Sequence, residues 1–292
     1  MVPPRAIRLL LALLVLSSAC ARLRPRPQAD DRDLPLTTRV QAPGMLFELL
    51  YTLPDRSEAS RIGTALLSAG PRLARWGPFR QGVHVRVYPT HEALERAVAR
   101  RNYPWLRAWA FTDRILLQSP RSWPEFTPSD ETEDLDELLT HELTHSLMYQ
   151  LMEPVDGSFG ELDEPPLWFR EGMASVTAGQ GHRRMTGSEL EAWIAAHPGE
   201  DPLNPTPELY RTEKEAVYGA AHRAFALLVA ISGDQSVRDI LRLLRDGARF
   251  ADAFKAATGH GLGTFEHEAV RCSFDPLASR WTPHGETGAG GP

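Results

Sequence analysis

The stretch ELLTHELTHSLM at 137–148, followed by PLWFREGMAS at 166–175, decides how the rest of this 292-residue chain is read. His141 and His145 are four residues apart, so on a helix their rings leave the same face, one turn above the other. That is the spacing at which two imidazoles reach one metal ion. Glu142, beside the first histidine, can lean over the same point as a general base. Leu135, Leu139, Leu143, Leu147 and Leu151 recur at steps of four along the same segment. At about 100° per residue the central three stand away from the histidines, which predicts one core face and one histidine-bearing face. Histidines of an ordinary core would fall among the leucines, so this split favours ligands. Asp130, with Glu133 three residues on, supplies a capping box for a helix expected over about 130–152.

A catalytic zinc site uses three protein ligands and keeps a fourth position open. No histidine lies where a three-histidine HExxHxxGxxH arrangement would need it, so the third ligand is acidic. The candidates are Asp156, Glu161, Asp163, Glu164 and Glu171. The first four lie among Gly157, Gly160, Pro165 and Pro166, the composition of a solvated loop. Glu171 sits early in a helix expected over 164–179, between Trp168-Phe169 and the small residues Gly172, Ala174 and Ser175. Those small residues predict close packing against the HELTH helix, and the known His/His/Glu type of catalytic zinc site makes Glu171 the expected third ligand. A structural zinc would use four protein ligands, often cysteines, and neither Cys20 nor Cys272 fits one.

The composition, 42% apolar and 24% charged, is that of a globular protein. A formal net charge of −6 without a long basic stripe in the body excludes a nucleic-acid partner. The first 20 residues read as an export signal: Arg5 and Arg8, an apolar run from Leu9 to Leu16, then Ser17, Ser18 and Ala19 before Cys20. The run is too short for a stable transmembrane helix, and no other run in the sequence is long enough to span a bilayer. A cysteine after small residues resembles the lipobox of bacterial lipoproteins. That resemblance implies lipidation of Cys20 and a membrane anchor in the cell envelope. The sequence departs from the lipobox at Ser17, where the family has an aliphatic residue; Leu16 stands one place early. Cleavage after Ala21 is the competing expectation and gives a periplasmic or secreted protein.

Residues 21–42, rich in Arg, Pro and Asp, are expected to form a flexible tether, and the Gly-rich 276–292 a disordered tail. Between them the expected fold is α+β. In the part spanning 43–128 the patterns predict a strand at 45–52, a helix at 56–73 and a half-buried strand at 83–88. A short helix from Thr90 to about Arg100 and a strand at 109–118 complete a small mixed sheet. Its Ile115–Gln118 segment is a candidate edge for an extended peptide. Trp105 and Trp109 read as core. The part spanning 129–275 is mostly helical, with further helices at about 188–196, 213–232, 235–246, 248–258 and 262–271. Gly233, Gly247 and Gly259 serve as stops.

HELTH followed by PLWFREGMAS resembles the gluzincin peptidases, most closely their peptidase MA-like families. WAFTDRILLQSP at 109–120, Tyr218-Gly-Ala-Ala-His222, LLRDG at 243–247 and ATGHGLGTFE at 257–266 extend the likeness over roughly 80–271. The resemblance implies one Zn2+ held by His141, His145 and Glu171, and a peptide or protein substrate. It also implies Glu142 as the base that takes a proton from the attacking water, and a Tyr or His on a later helix as oxyanion donor. Tyr218 is the first choice for that donor and His222 the second. Asp136, Glu137 and Thr140 are candidate outer partners of the ligands, although a solvated acidic face competes. Twenty-five residues separate His145 from Glu171, more than in the best-studied gluzincins, so the loop at 152–166 is expected to absorb the excess and shape the cleft. The alternative is a gluzincin-fold protein that binds zinc without turnover and acts in envelope binding or assembly.

Overall fold

Half-buried and exposed side chains alternate along Leu36–Ala42 (β1), buried and half-buried ones along most of Met45–Tyr51 (β2), and the two segments pair as an antiparallel hairpin with Leu36 opposite Tyr51 and Ala42 opposite Met45. The computed structural model describes residues 33–42, 44–123, 135–154 and 164–269. The expected tether therefore contains a strand: Leu36 and Val40 pack on the core while Thr37, Arg39 and Gln41 face out. Short alternation beside an Arg/Pro-rich stretch hid it.

β3 (Val83–Tyr88) runs parallel to β2, and β5 (Arg114–Gln118) runs parallel to β3. β4 (Ala108–Ala110) closes the sheet antiparallel to β5, giving the order β1-β2-β3-β5-β4. The expected single strand over 109–118 is thus a hairpin, turned at Phe111–Asp113, where the Phe111 amide meets the Arg114 carbonyl at 2.7 Å. Ile115–Gln118 is covered on both sides by β3 and β4, so β4 is the terminal strand.

The sheet has two apolar faces. Leu94 and Val98 of α3 (His91–Val98), together with Leu106, cover Tyr88 and Leu116. The opposite face, built from Phe47, Leu49, Val83, Val85, Ile115 and Leu117, packs against α1 (Arg56–Ser68), α2 (Gly70–Leu73) and α4 (Leu135–Met152). Beyond α4 lie α5 (Leu167–Ala178), α6 (Gly187–Ala196), α7 (Pro207–Thr212), α8 (Lys214–Arg245) and α9 (Phe250–Thr258). The described chain ends in Leu262–Thr264 and a π-helical turn at Phe265–Ala269. This is the expected α+β arrangement, with one addition. The helix α7 is new; Pro207 at its start and the Thr206 side chain accepting from the Leu209 amide are its signals. Gly233, non-helical at φ 79 and ψ 168, divides α8 into two helices joined by a kink, the stop the sequence predicts there.

Contrary to the expectation that no run beyond the N-terminal one is long enough to span a bilayer, α8 is long and apolar enough to do so by length and composition. Here it is a core helix: Ala220, Ala221, Ala224, Phe225 and Leu228 are fully buried. α4 is likewise buried on nearly every side. Leu139, Leu143 and Leu147 are at 0% exposure, each contributing about 1.5–3 kcal/mol by burial. His141, Glu142 and His145 are buried as well. The expected core face and histidine-bearing face therefore differ in chemistry rather than in exposure. Leucines hold the helix while three polar side chains share a closed site.

Candidate metal centre

α4 is fixed against the β4–β5 turn by two side-chain hydrogen bonds. Ser146 Oγ donates to the Phe111 carbonyl at 2.7 Å, and Gln150 Nε2 to the Thr112 carbonyl at 2.8 Å. α5 brings Glu171 to the other side of the site. A Cβ on Gly172 would lie 2.4 Å from the Ala221 carbonyl oxygen and 2.5 Å from Phe225 Cβ. Gly172 thus lets α5 press on α8, while α5 also packs against α4, the neighbour the sequence suggested. Trp168 anchors the start of α5 among Phe169, Phe250, Phe254 and Phe265, and donates Nε1–H to Glu266 at 2.7 Å.

Three ligand atoms converge between the helices. His141 Nε2 and His145 Nε2 are 3.2 Å apart, and Glu171 Oε2 lies 3.2 Å from the first and 3.5 Å from the second. Among the described residues this is the one cluster of His, Cys, Asp and Glu able to hold a metal ion. Zinc–ligand bonds of about 2.0–2.2 Å in tetrahedral geometry separate neighbouring ligands by roughly 3.3–3.5 Å. The triangle has that size, and two imidazoles with one carboxylate are a zinc donor set, so the residues fit the ion. Burial opposes ionisation of Glu171, but His145 and hydrogen bonds from both imidazoles hold its carboxyl well below the usual range.

The outer contacts differ from expectation. Gln180 Oε1 lies 3.0 Å from His141 Nδ1 and is 3% exposed. It gets there because Gly179, at φ +82, ends α5 and turns the chain back, with the Gln180 amide donating to the Ser175 carbonyl at 3.0 Å. Arg72 Nη1 donates to the Ala178 carbonyl at 2.8 Å and secures that turn. The His145 ring stacks on Tyr149 at 6.3 Å, and its Nδ1 is buried without a hydrogen-bond partner among the described residues. Thr140 Oγ1 is spent on the Asp136 carbonyl of its own helix, and the Asp136 carboxylate accepts from Ser68. Glu137 is half-buried in the first turn. The outer partner the geometry shows for His141 is Gln180, and no local pattern marks a contact that spans 39 positions.

Glu142 is buried beside the cluster. The Tyr218 ring lies 6.1 Å from the His141 ring, and its hydroxyl is 3.0 Å from that of Tyr210 on α7. Burial, then Glu171 and Tyr210, push the Tyr218 phenol well above its ordinary pKa; burial and Glu171 do the same for Tyr210. His222, the second choice for the oxyanion donor, is 7% exposed, and its Nδ1 lies at hydrogen-bond distance, 2.8 Å, from Ser175 Oγ. Glu164 is exposed and pairs with Arg170, so it is no ligand. Asp130, Glu133, Asp156, Glu161, Asp163, Cys20, Cys272 and the 276–292 tail lie outside the described residues.

No protein-family model matches the chain, and no curated protein matches it. Solved structures to which it is similar are M1 zinc metallopeptidases. The enzyme from Deinococcus radiodurans aligns at 15% identity and TM-score 0.42, over 82% of this chain and 52% of that one. An aminopeptidase N family protein from Idiomarina loihiensis aligns at 15% identity and TM-score 0.40, over 77% and 42%. A variant of the D. radiodurans enzyme bound to a Tyr-Ser-Ala substrate aligns at 16% and 0.41, over 82% and 52%. The chain spans about half the length of these proteins.

Proposed function

We propose that this chain is a zinc-dependent peptidase. The observation that carries the proposal is the closed triangle of His141 Nε2, His145 Nε2 and Glu171 Oε2, with the buried Glu142 carboxylate on the same helix. A zinc ion held there supplies Lewis acidity, acidifying water and polarising a carbonyl. His141, His145 and Glu171 are the ligands. Glu142 takes the proton of the attacking water and hands it to the leaving amine. Tyr218 donates its hydroxyl to the carbonyl oxygen as negative charge grows on it. The terminal strand β4, beside the turn that holds α4, is where an extended peptide can pair. The N-terminal signal and Cys20 support an envelope lipoprotein, a proposal that fatty-acid labelling tests: no label dependent on Cys20 overturns it.

The test of the function is zinc content measured together with cleavage of a broad peptide library by the purified chain, before and after metal removal. One zinc per chain and metal-dependent cleavage are expected. One zinc with no cleavage of any peptide favours the rival, a zinc-binding envelope protein without turnover.

A further inference from the structure

We propose that Tyr210 is the positioning residue of the oxyanion donor: its hydroxyl gives a hydrogen bond to Tyr218 and thereby frees the Tyr218 proton for the substrate carbonyl. It rests on the peptidase reading and extends it to a residue on α7, a helix the sequence did not disclose.

The geometry is a short chain of contacts leading into the site. Trp105 meets the Tyr210 ring edge to face at 5.8 Å, and the Tyr210 hydroxyl lies 3.0 Å from that of Tyr218. The Tyr218 ring lies 6.1 Å from His141. Tyr210 is held from both ends. Thr206 and Pro207 start its helix one turn earlier, and Trp105 braces the ring, itself packed on Tyr103 at 5.4 Å with Lys214 Nζ 5.7 Å over its face.

A phenol has one hydrogen to give. If Tyr218 spends it on Tyr210, it has none for the substrate. The bond between the two hydroxyls survives catalysis only with Tyr210 as donor and Tyr218 as acceptor. Donation into the Tyr218 oxygen then polarises its O–H and strengthens the bond it makes in turn, as in any hydrogen-bonded chain. The two phenols therefore act in series, with Tyr218 at the reacting atoms and Tyr210 behind it.

The experiment is a double-mutant cycle of Tyr210→Phe and Tyr218→Phe in the full zinc-loaded chain, with kcat and KM measured on one cleaved peptide. Binding of a phosphinic peptide as transition-state mimic gives a second readout. Tyr210→Phe is expected to lower kcat roughly three- to tenfold, the size of one neutral hydrogen bond, with KM and zinc content unchanged. It should weaken the phosphinic peptide by a similar factor. In the Tyr218→Phe background the same change should do nothing further. Unchanged kcat in Tyr210→Phe overturns the proposal, as does an equal loss in both backgrounds or a loss that follows zinc content. Tyr218→Phe at wild-type rate also overturns it. A wild-type chain that binds zinc but neither cleaves peptides nor binds the phosphinic peptide overturns the peptidase reading itself, and the proposal with it.

Discussion

Gln180 Oε1 accepts the Nδ1 hydrogen of His141 at 3.0 Å inside the protein, so Nε2 is the nitrogen that faces Glu171 Oε2 and His145 Nε2. The bond selects one tautomer before any ion arrives. Replacement of Gln180 by Leu keeps most of the volume and removes the acceptor. Zinc affinity is expected to fall about 10–100-fold, the usual effect of losing an outer partner of a histidine ligand. Competition with a chromogenic chelator measures it. An affinity within twofold of wild type would show that packing alone orients His141.

Close approach of α5 and α8 sets the position of Glu171. In Gly172→Ala the new methyl collides with the Ala221 carbonyl and Phe225 Cβ, both inside 3.0 Å. The expected destabilisation is about 1–3 kcal/mol, a drop of several degrees in Tm, with weaker zinc binding because Glu171 rides on the same helix. Gly181→Ala is the control: its Cβ meets nothing within 4 Å, and Tm should not move. Thermal melts of the two variants decide the point, and equal melting temperatures contradict the packing account.

His222 gives the fold a pH dependence. Burial, then Arg184, His182 and Arg183, lower its pKa to about 4. Unfolded, the ring titrates near ~6.5 and binds more protons than the folded state at every pH between the two values. Stability from the neutral ring is therefore complete above pH ~6.5 and is lost as pH falls towards about 4, by at most ~3 kcal/mol. Denaturant melts of the metal-free protein between pH 7 and 4.5, compared with His222→Asn, isolate the effect. The wild-type curve should fall more steeply; parallel curves would contradict it.

What could be read from the sequence was what local spacing determines. A four-residue interval on a helix fixes where two rings point, so the convergence of His141 and His145 was legible, and Glu171 followed from the known His/His/Glu type of zinc site. β1 escaped because seven alternating residues beside a basic, proline-rich run carry little signal. The strand expected over 109–118 folds back on itself at Thr112-Asp113, which moves the sheet edge from Ile115–Gln118 to β4. Gln180 and Tyr210 touch the site across 39 and 8 positions through turns and a short helix, where no period repeats. His222 shows the limit of helix spacing: one turn from Tyr218, it is engaged with Ser175.

Glu142→Gln tests the central claim most directly, because it removes the base while leaving an amide of the same shape and all three ligands in place. Zinc content and the chelator-competition curve should match wild type, while kcat/KM on a cleaved peptide should fall by at least about 100-fold, the lower end of what a general base contributes. Full zinc binding with kcat/KM within a few-fold of wild type would contradict the assignment of Glu142 as the base, and with it the reaction proposed for this site.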